Sequence, residues 1–266
     1  MSAKYSLESD LKLALELSAI ADEITMARYL AQDLVVITKP DNTPVTDADR
    51  ATEEALRKHL AIVRPEEGLV GEEFGNENKE AARYWVIDPI DGTKNFMRGV
   101  PTWATLIGLV ERQSDGTEKV IVGAVSAPAL YRCWYASVGN GAFTILNGGN
   151  PRQISVSKVS ELSDASIAYS DFQGWGDRLT KFQKLMAECT RSRGYGDFWS
   201  HMLVAEGAVD IAAEPSLALW DMAALDVIVR EAGGTFSNLS GDVGPFGGSG
   251  ISTNTLLHST VMAALN

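Results

Sequence analysis

The feature that most constrains the fold is an apolar run that passes directly into two closely spaced carboxylates. Residues 84–96 read Tyr-Trp-Val-Ile-Asp-Pro-Ile-Asp-Gly-Thr-Lys-Asn-Phe. The first four residues predict a buried strand, and Pro89, which lacks an N–H group, predicts that the strand ends there. The next glycine permits a turn, and Thr93 is a suitable cap for a helix. We therefore expect Asp88 and Asp91 beside a helix N-terminus, with cations on the acids and an anion on the free N–H groups.

The charge balance limits the partners of this chain. Its 266 residues include 23 Lys and Arg against 35 Asp and Glu, for a formal net charge of −12. An excess of negative charge argues against nucleic acid or an anionic membrane as partner. If the substrate is itself an anion, bound metal ions would have to supply the missing positive charge.

Cysteine and histidine usage narrows the compartment and the type of metal. Cys133 and Cys189 are far apart and lack CxxC spacing, which predicts two reduced thiols in a cytoplasmic protein. Acidic residues among the N-terminal leucines argue against a signal peptide, and no apolar run is long enough for a membrane span. Three scattered histidines are too few for a histidine-based site, so any metal should be oxygen-ligated.

Apolar periodicity predicts two halves of different architecture. Residues 7–24 have the spacing of an amphipathic helix, and a proline-containing loop at 39–50 leads into a second helix. Strand-like runs separated by glycine-containing turns then predict an antiparallel meander, so that 1–150 forms an N-terminal α+β half. Residues 151–266 alternate strand-like and helix-like segments, which is typical of a layered α/β unit. The predicted fold class is therefore α/β (α+β), with an extensive interface between the halves.

Four carboxylates stand at the end of an apolar run or just beyond it: Glu72, Asp88, Asp91 and Asp221. Mg²⁺ prefers oxygen ligands and leaves positions for water and substrate phosphate. Two such ions about 3.5–4 Å apart can flank the attacking and leaving oxygens in a displacement at phosphorus. The sequence therefore predicts a metal-dependent reaction at phosphorus, with Asp88 as the natural shared ligand.

Each of these positions also has a simpler explanation at this stage. Asp49 lies in the first turn of a predicted helix, where acids are favoured by the helix dipole alone. Glu72 and Glu73 could be a solvated pair, and only one of two adjacent side chains in extended chain can face a common site. Asp221 could be an ordinary helix N-cap.

Other known motifs are excluded by individual residues. An EF-hand loop starting at Asp88 would need a carboxylate at its twelfth position, where Gly99 stands. Phosphatases that form an aspartyl-phosphate need Asp-x-Asp, and Pro89 occupies the place of the first acid. The chain also lacks a P-loop for nucleotide triphosphates.

Three segments together resemble the signatures of the inositol monophosphatase family: Gly71-Glu-Glu73, Asp88-Pro-Ile-Asp-Gly-Thr-x-Asn-Phe96 and Trp220-Asp-x-Ala-Ala224. Thr46-x-x-Asp49, Gly139-x-Gly-Ala-Phe143 and Glu231-Ala-Gly-Gly234 occur in the expected order, so the resemblance covers nearly the whole chain. It implies a layered αβαβα sandwich of the inositol monophosphatase and fructose-bisphosphatase type. It also implies a Mg²⁺-dependent phosphate monoester hydrolase and a homodimer.

The resemblance further implies the roles of individual residues. Its metal ligands, for two to three Mg²⁺ ions, would be Glu72, Asp88, the Ile90 carbonyl, Asp91 and Asp221. Asp49 and Thr93, with Glu72, would orient and deprotonate the attacking water. The N–H groups of Gly92 and Thr93 would hold phosphate oxygens, so no covalent phosphoenzyme is required.

The region around residues 191–200 should select the leaving group. Asp197, Phe198 and Trp199 stand where inositol-type members tend to carry small residues, so an acid and aromatic rings could bind a cationic, ring-bearing leaving group. The alternative is that the two aromatic residues belong to the core. Among members of the family, the sequence looks most like the histidinol-phosphate phosphatases, which implies hydrolysis of L-histidinol phosphate late in histidine biosynthesis. The predicted substrate contacts are Gly196, Asp197 and Glu214.

Two other functions remain open at this stage. One is hydrolysis of inositol 1-phosphate or of a broad range of sugar phosphates. The other is a non-enzymatic, metal-binding regulatory scaffold, which would be expected to have lost a ligand or the pair that activates water; the predicted ligands and that pair are all present in the sequence.

Overall fold

The computed structural model describes residues 5–40 and 42–266, so Asp41 of the predicted loop lies outside the described residues. The helices in these ranges are α1 Leu7–Arg28, α2 Asp47–Val63, α3 Thr93–Met97, α4 Leu179–Glu188, α5 Asp197–Ala205, α6 Leu219–Glu231 and α7 His258–Leu265. The strands are β1 Val36–Thr38, β2 Pro44–Thr46, β3 Gly68–Gly71, β4 Gly75–Glu77, β5 Arg83–Asp91, β6 Ala104–Arg112, β7 Glu118–Ala127, β8 Arg132–Ser137, β9 Ala142–Leu146, β10 Arg152–Ile154, β11 Ser166–Ala168, β12 Arg191–Arg193, β13 Ile211–Glu214, β14 Thr235–Ser237 and β15 Gly250–Thr253.

The first large sheet contains the predicted meander. Its strand order is β10-β9-β8-β7-β6-β5-β3-β4. From β5 to β10 each strand pairs antiparallel with the next. Strands β3 and β5 are parallel, and β4, which lies between them in the chain, pairs antiparallel with the other edge of β3. The antiparallel meander is therefore confirmed, and β10 extends this sheet slightly beyond residue 150.

The second large sheet is mixed. Its order is β12-β11-β13-β15-β14, with β11 parallel to both β12 and β13 and β15 antiparallel to both β13 and β14. Strands β1 and β2 form a separate two-stranded hairpin. The alternation of strands and helices predicted for the second half is confirmed.

Helices and sheets stack in five layers. Helices α1 and α2 pack on one face of the first sheet, with Leu17 and Leu56 in the shared core. Helices α5 and α6 lie between the two sheets, where Met222 and Phe198 join the core that covers the other face of the first sheet. Helices α4 and α7 cover the outer face of the second sheet. The predicted αβαβα sandwich is confirmed, and its central helices come from the second half.

Helix α6 lies very close to the first sheet, and two glycines permit this. A Cβ atom on Gly108 would lie 2.9 Å from the Cβ of Ala223, and one on Gly123 would lie 2.7 Å from the Ala224 carbonyl oxygen. Such distances exclude any larger residue without a shift of the helix. The close packing fixes the start of α6, and with it Asp221, relative to β5.

The prediction that the strand ends at Pro89 is wrong. Strand β5 continues to Asp91, and its pairing with β6 shifts between Asp88 and Asp91, where three residues of β5 advance against two of β6. Such a β-bulge accommodates a proline because the ladder is interrupted there. The Pro89 carbonyl accepts a hydrogen bond from Thr105 Oγ1 at 2.8 Å.

Two expectations about compartment can be compared with the structure. Within the described ranges no helix is sufficiently long and apolar to span a membrane. Cys133 and Cys189 are both free thiols, as predicted. Burial raises the pKa of the Cys189 thiol to about 11, and it raises that of Cys133 to about 12.

We expect Leu56→Ala to lower the free energy of unfolding by about 2–5 kcal/mol, because it leaves a cavity between α2 and the first sheet. Leu56 is 0% exposed. Ile62→Ala on the same helix is the control, since Ile62 is 80% exposed and should change stability by less than about 0.5 kcal/mol. Urea unfolding of both variants checks this, and equal effects would contradict the packing described.

Candidate active site

One cavity of about 410 Å³ collects most of the predicted site residues. Segments of both halves form its wall. The predicted residues that line it are Glu72, Asp88, Ile90, Asp91, Gly92, Thr93, Gly196, Asp197 and Asp221. Asp49 and Glu214 lie behind this wall and reach it through Thr93 and Ser170, respectively.

Three carboxylates converge at the floor of the cavity. Asp88, Asp91 and Asp221 each offer an oxygen, and these oxygens lie within 4.8 Å of one another. Burial, followed by repulsion from Glu72, raises the pKa of Asp88 well above its usual range. Burial and neighbouring acids do the same for Asp91 and raise the pKa of Asp221 to about 6. An all-oxygen set of buried or half-buried, mutually repelling acids fits a hard divalent cation.

Backbone N–H groups hold each of these carboxylates through one oxygen. Asp88 Oδ1 accepts from the Ile90 N–H at 3.0 Å, and Asp91 Oδ2 accepts from the Phe198 N–H at 2.7 Å. Asp221 Oδ2 accepts from the N–H of residue 218 at 2.7 Å. Asp221 is therefore the third residue of α6 and not its N-cap, because its side chain reaches back to the residue that precedes the helix. These hydrogen bonds fix the direction of each carboxylate.

The side chains of Glu72 and Glu73 both contact the ammonium group of Lys39. Lys39 Nζ donates to Glu72 Oε1 at 2.8 Å and to Glu73 Oε1 at 2.6 Å. Of the two, Glu72 lines the cavity and Glu73 does not, so the expectation that one of the pair would face a common site is confirmed. Both residues lie beyond the end of β3, in a turn where the alternation of a strand no longer applies.

Asp49 serves two structural partners at once. Its Oδ2 accepts from Thr46 N at 2.8 Å and Thr46 Oγ1 at 2.5 Å, which is a capping box at the start of α2. Its Oδ1 lies 3.4 Å from Thr93 Oγ1, which also lies 3.0 Å from the Ile90 carbonyl oxygen. Burial raises the pKa of Asp49 to about 6. The simple helix-start explanation and the predicted pairing with Thr93 are thus both compatible with this geometry.

The turn after β5 depends on glycine. Gly92, and not Thr93 as predicted, is the N-cap of α3; its φ is +82°, and the hydroxyl of Thr93 turns toward Asp49 instead. A Cβ on Gly92 would lie 3.0 Å from the Thr102 carbonyl oxygen and 3.3 Å from Asp197 Oδ2. Both the positive φ and the close approach therefore favour glycine.

Ser170 links the two predicted acidic substrate contacts. The N–H of Asp197 donates to Ser170 Oγ at 2.9 Å, and Ser170 Oγ donates to Glu214 Oε1 at 2.6 Å. Asp197 Oδ2 accepts from Asn95 Nδ2 at 3.2 Å, and its backbone is left-handed, with φ +50°. Burial raises the pKa of Glu214 to about 8 and that of Asp197 above its usual value. This end of the cavity is therefore acidic, and hydrogen bonds orient its two acidic side chains.

The expectation of stacking by Phe198 is wrong, and the core alternative is confirmed for it. Phe198 is 1% exposed and packs edge-on against Trp134, with ring centroids 6.0 Å apart. Trp199 packs against the same core and against the ring of Tyr195 at 5.4 Å. Tyr195 is the aromatic residue that lines the cavity. At the start of α5 the backbone N–H of Phe198 faces Asp91, whereas its ring points into the core between the two sheets.

Several cavity residues were missed or left unoriented by the sequence. Ser170 and Asp171 line the cavity just after β11, so the strand-end signal that indicated Asp88 could have indicated them too. Lys94 and Asn95 also line it. The direction in which these two side chains point depends on how the five-residue helix α3 packs against the rest of the protein, and no local sequence pattern specifies that packing.

The sequence of this chain is similar to those of known phosphatases. The sequence model of the inositol monophosphatase family matches residues 6–266. The chain is 53% identical over 259 residues to a histidinol-phosphatase of Mycobacterium tuberculosis, covering 97% of this chain and 98% of that protein. It is also 53% identical to a histidinol-phosphatase of Streptomyces coelicolor, covering 97% of each. An inositol-1-monophosphatase of Rhizobium meliloti is 37% identical over 79% of this chain and 77% of its own length.

Solved structures show the same fold. An extragenic suppressor protein suhB from Bartonella henselae has a TM-score of 0.86 at 30% identity, covering 97% of this chain and 98% of that one. An inositol monophosphatase from Zymomonas mobilis has a TM-score of 0.85 at 28% identity, covering 98% and 99%. The chain therefore belongs to the inositol monophosphatase family. It is accordingly a phosphatase, of a family that depends on metal ions.

We expect Asp88→Asn to raise the melting temperature of the metal-free protein, because it removes one of several buried, mutually repelling carboxyl groups. The same change should abolish activity and most of the stabilisation by an added divalent cation. Thermal melting with and without the cation checks both effects. A variant that is stabilised by the cation as much as the parent protein would contradict this account of the cluster.

Proposed function

We propose that this protein hydrolyses L-histidinol phosphate to L-histidinol and phosphate in histidine biosynthesis, with Mg²⁺ as cofactor. The observation that carries this proposal is the acidic far end of the cavity, where Asp197 and Glu214 share one hydrogen-bonded serine. A leaving group with an ammonium can pair with such acids, whereas a neutral polyol ring cannot. The 53% identity to two histidinol-phosphatases over nearly the full length supports the same substrate.

The proposed ligands of two to three Mg²⁺ ions are the residues at the cavity floor and its edge: Glu72, Asp88, the Ile90 carbonyl, Asp91 and Asp221. When bound, these ions supply positive charge to the phosphate and to the attacking and leaving oxygens. This would explain how a protein with a net charge of −12 accepts an anion. Lys39, which holds Glu72 and Glu73 at 2.8 and 2.6 Å, would have to release Glu72 for it to bind an ion.

Proton removal from the attacking water is assigned to Asp49 and Thr93. The water gives its proton to Thr93 Oγ1 as the hydroxyl passes its own proton to Asp49 Oδ1, 3.4 Å away. With a pKa raised to about 6, Asp49 is mostly ionised at neutral pH and remains a stronger base than an ordinary aspartate. Glu72, on the cavity wall, orients the water from the other side.

Binding of the two ends of the substrate follows from the walls of the cavity. The N–H groups of Gly92 and Thr93, at the start of α3, donate to phosphate oxygens that develop charge as the bond to the leaving group breaks. Asp197 on the cavity wall pairs with the ammonium of histidinol, Glu214 attracts the same charge from behind Ser170, and the backbone at Gly196 contacts the leaving group.

A second candidate substrate is inositol 1-phosphate. The 37% identity to the inositol-1-monophosphatase of Rhizobium meliloti favours it, and it would use the same cavity floor. Family membership and the presence of all proposed ligands weigh against a scaffold without activity. The homodimer and the cytoplasmic location inferred from the sequence remain part of this proposal.

A panel of phosphate monoesters tests the substrate. With Mg²⁺ present, we expect kcat/KM to be higher for L-histidinol phosphate than for inositol 1-phosphate or glycerol 2-phosphate, because only the first carries a cation. Phosphate release measured under initial-rate conditions gives the ratios. A preference for inositol 1-phosphate would overturn the substrate, and no release from any ester would overturn the catalytic proposal.

The acidic end predicts a pH effect on binding. Glu214 is neutral below its raised pKa of about 8 and must ionise to attract an ammonium from behind Ser170. The KM for L-histidinol phosphate should therefore fall as the pH rises from about 6 to 8, roughly tenfold relative to glycerol 2-phosphate. Dividing by the second ester removes the ionisation of the phosphate itself. Glu214→Gln should abolish the difference, and a parent protein with the same pH profile for both esters would contradict this pairing.

A further inference from the structure

A buried ion pair outside the cavity contacts the turn that carries Glu72. Glu53 and Arg57 lie one turn apart on α2, with side chains 0% and 9% exposed. Glu53 Oε2 accepts from the Glu73 N–H at 2.7 Å, and Glu53 Oε1 accepts from the Phe74 N–H at 3.1 Å. Arg57 Nε donates to Glu53 Oε1 at 2.8 Å. One carboxylate therefore holds two consecutive backbone groups directly after Glu72.

Arg57 extends the contact further along the chain. Its guanidinium donates to the Gly75 carbonyl oxygen and pairs with Glu77 Oε1 at 2.9 Å. On the other side, a Cβ on Gly71 would lie only 2.1 Å from Glu53 Oε1, so the end of β3 lies directly on this carboxylate. The pair thus contacts backbone both before and after Glu72.

Glu72 is consequently fixed between two points of the framework. Its own N–H bonds to the Ile87 carbonyl oxygen at 3.3 Å, and the next N–H bonds to Glu53. Its carboxylate accepts a hydrogen bond from Lys39, which lies in the loop between β1 and β2. Without the hydrogen bonds to Glu53 on α2, the turn would be free to move with Lys39, and Glu72 would move with it.

We propose that Glu53, supported by Arg57, is a positioning residue that presents Glu72 to the metal site. A buried ion pair is by itself weak evidence for stability, since desolvation offsets most of its attraction. Charged acceptors nevertheless hold backbone N–H groups with stronger and shorter bonds than neutral ones. This inference rests on the proposed role of Glu72 as a metal ligand.

Glu53→Gln tests the inference while keeping the size of the side chain. The amide can accept with only one oxygen, so its NH₂ group faces a backbone N–H and the turn must shift. We expect the dissociation constant for Mg²⁺, measured by calorimetry on the metal-free protein, to rise roughly tenfold or more. At saturating Mg²⁺ the kcat should recover to near the parent value, which separates positioning of Glu72 from loss of a catalytic group.

Glu54→Gln is a matched control on the adjacent position of α2. Glu54 also forms an ion pair with the residue four positions on, Lys58, at 2.6 Å, but the two side chains are 57% and 70% exposed. The control should keep the parent Mg²⁺ affinity. A folded Glu53→Gln protein with unchanged Mg²⁺ affinity would overturn the inference, as would an equal loss in both variants.

A second variant decides the matter if Glu53→Gln does not fold. Arg57→Lys keeps the charge but loses the guanidinium fork, so it should weaken Mg²⁺ binding by a smaller factor. Parent-like affinity in this variant would overturn the inference. Glu72→Gln distinguishes failure of this inference from failure of the proposed ligand set. If this variant binds Mg²⁺ as tightly as the parent protein does, Glu72 is not a ligand, whatever the result for Glu53→Gln.

Discussion

Repulsion among buried carboxylates is the constraint on which the rest of this structure depends. Asp88, Asp91 and Asp221 place oxygens within 4.8 Å of one another in a chain that already carries a net charge of −12. Such a cluster requires a framework that holds each acid against the repulsion of the others. The raised pKa values have burial as their main cause and this repulsion as a further one, and the backbone hydrogen bonds to each carboxylate provide the hold.

The layered fold supplies the framework. Asp88 and Asp91 end the central strand β5, which is covered on both faces, and Asp221 stands at the start of α6, seated on glycines of β6 and β7. Helix α5, in the same layer, brings the N–H group of Phe198 to Asp91. Because α5 and α6 belong to the second half and pack on the sheet of the first, the site forms only when the two halves are joined. The site and the inter-half core are therefore one structure.

Local patterns predicted much of the architecture and the carboxylates that meet at the cavity floor. The meander, the alternation of the second half and the cluster of acids after apolar runs were all visible in the sequence, because each depends on neighbours a few residues away. The errors have the same explanation. Pro89 was expected to end its strand, but a bulge opposite Thr105 accommodates it. The ring of Phe198 was considered as a substrate contact, but it packs in the core that covers the first sheet. In both cases a distant element decided the outcome.

By itself, the sequence determined which carboxylates are present, which strands and turns carry them, and hence that oxygen-ligated metal chemistry at phosphorus was the function to expect. Only the tertiary structure decided which groups meet: Asp197 and Glu214 on one serine, Glu72 on Lys39, and Glu53 under the turn that follows β3. The physical reason is the range of the forces involved. Strand and turn preferences act between neighbours, whereas these contacts join residues 20 to 44 positions apart and form only when the packed layers bring them within hydrogen-bonding distance.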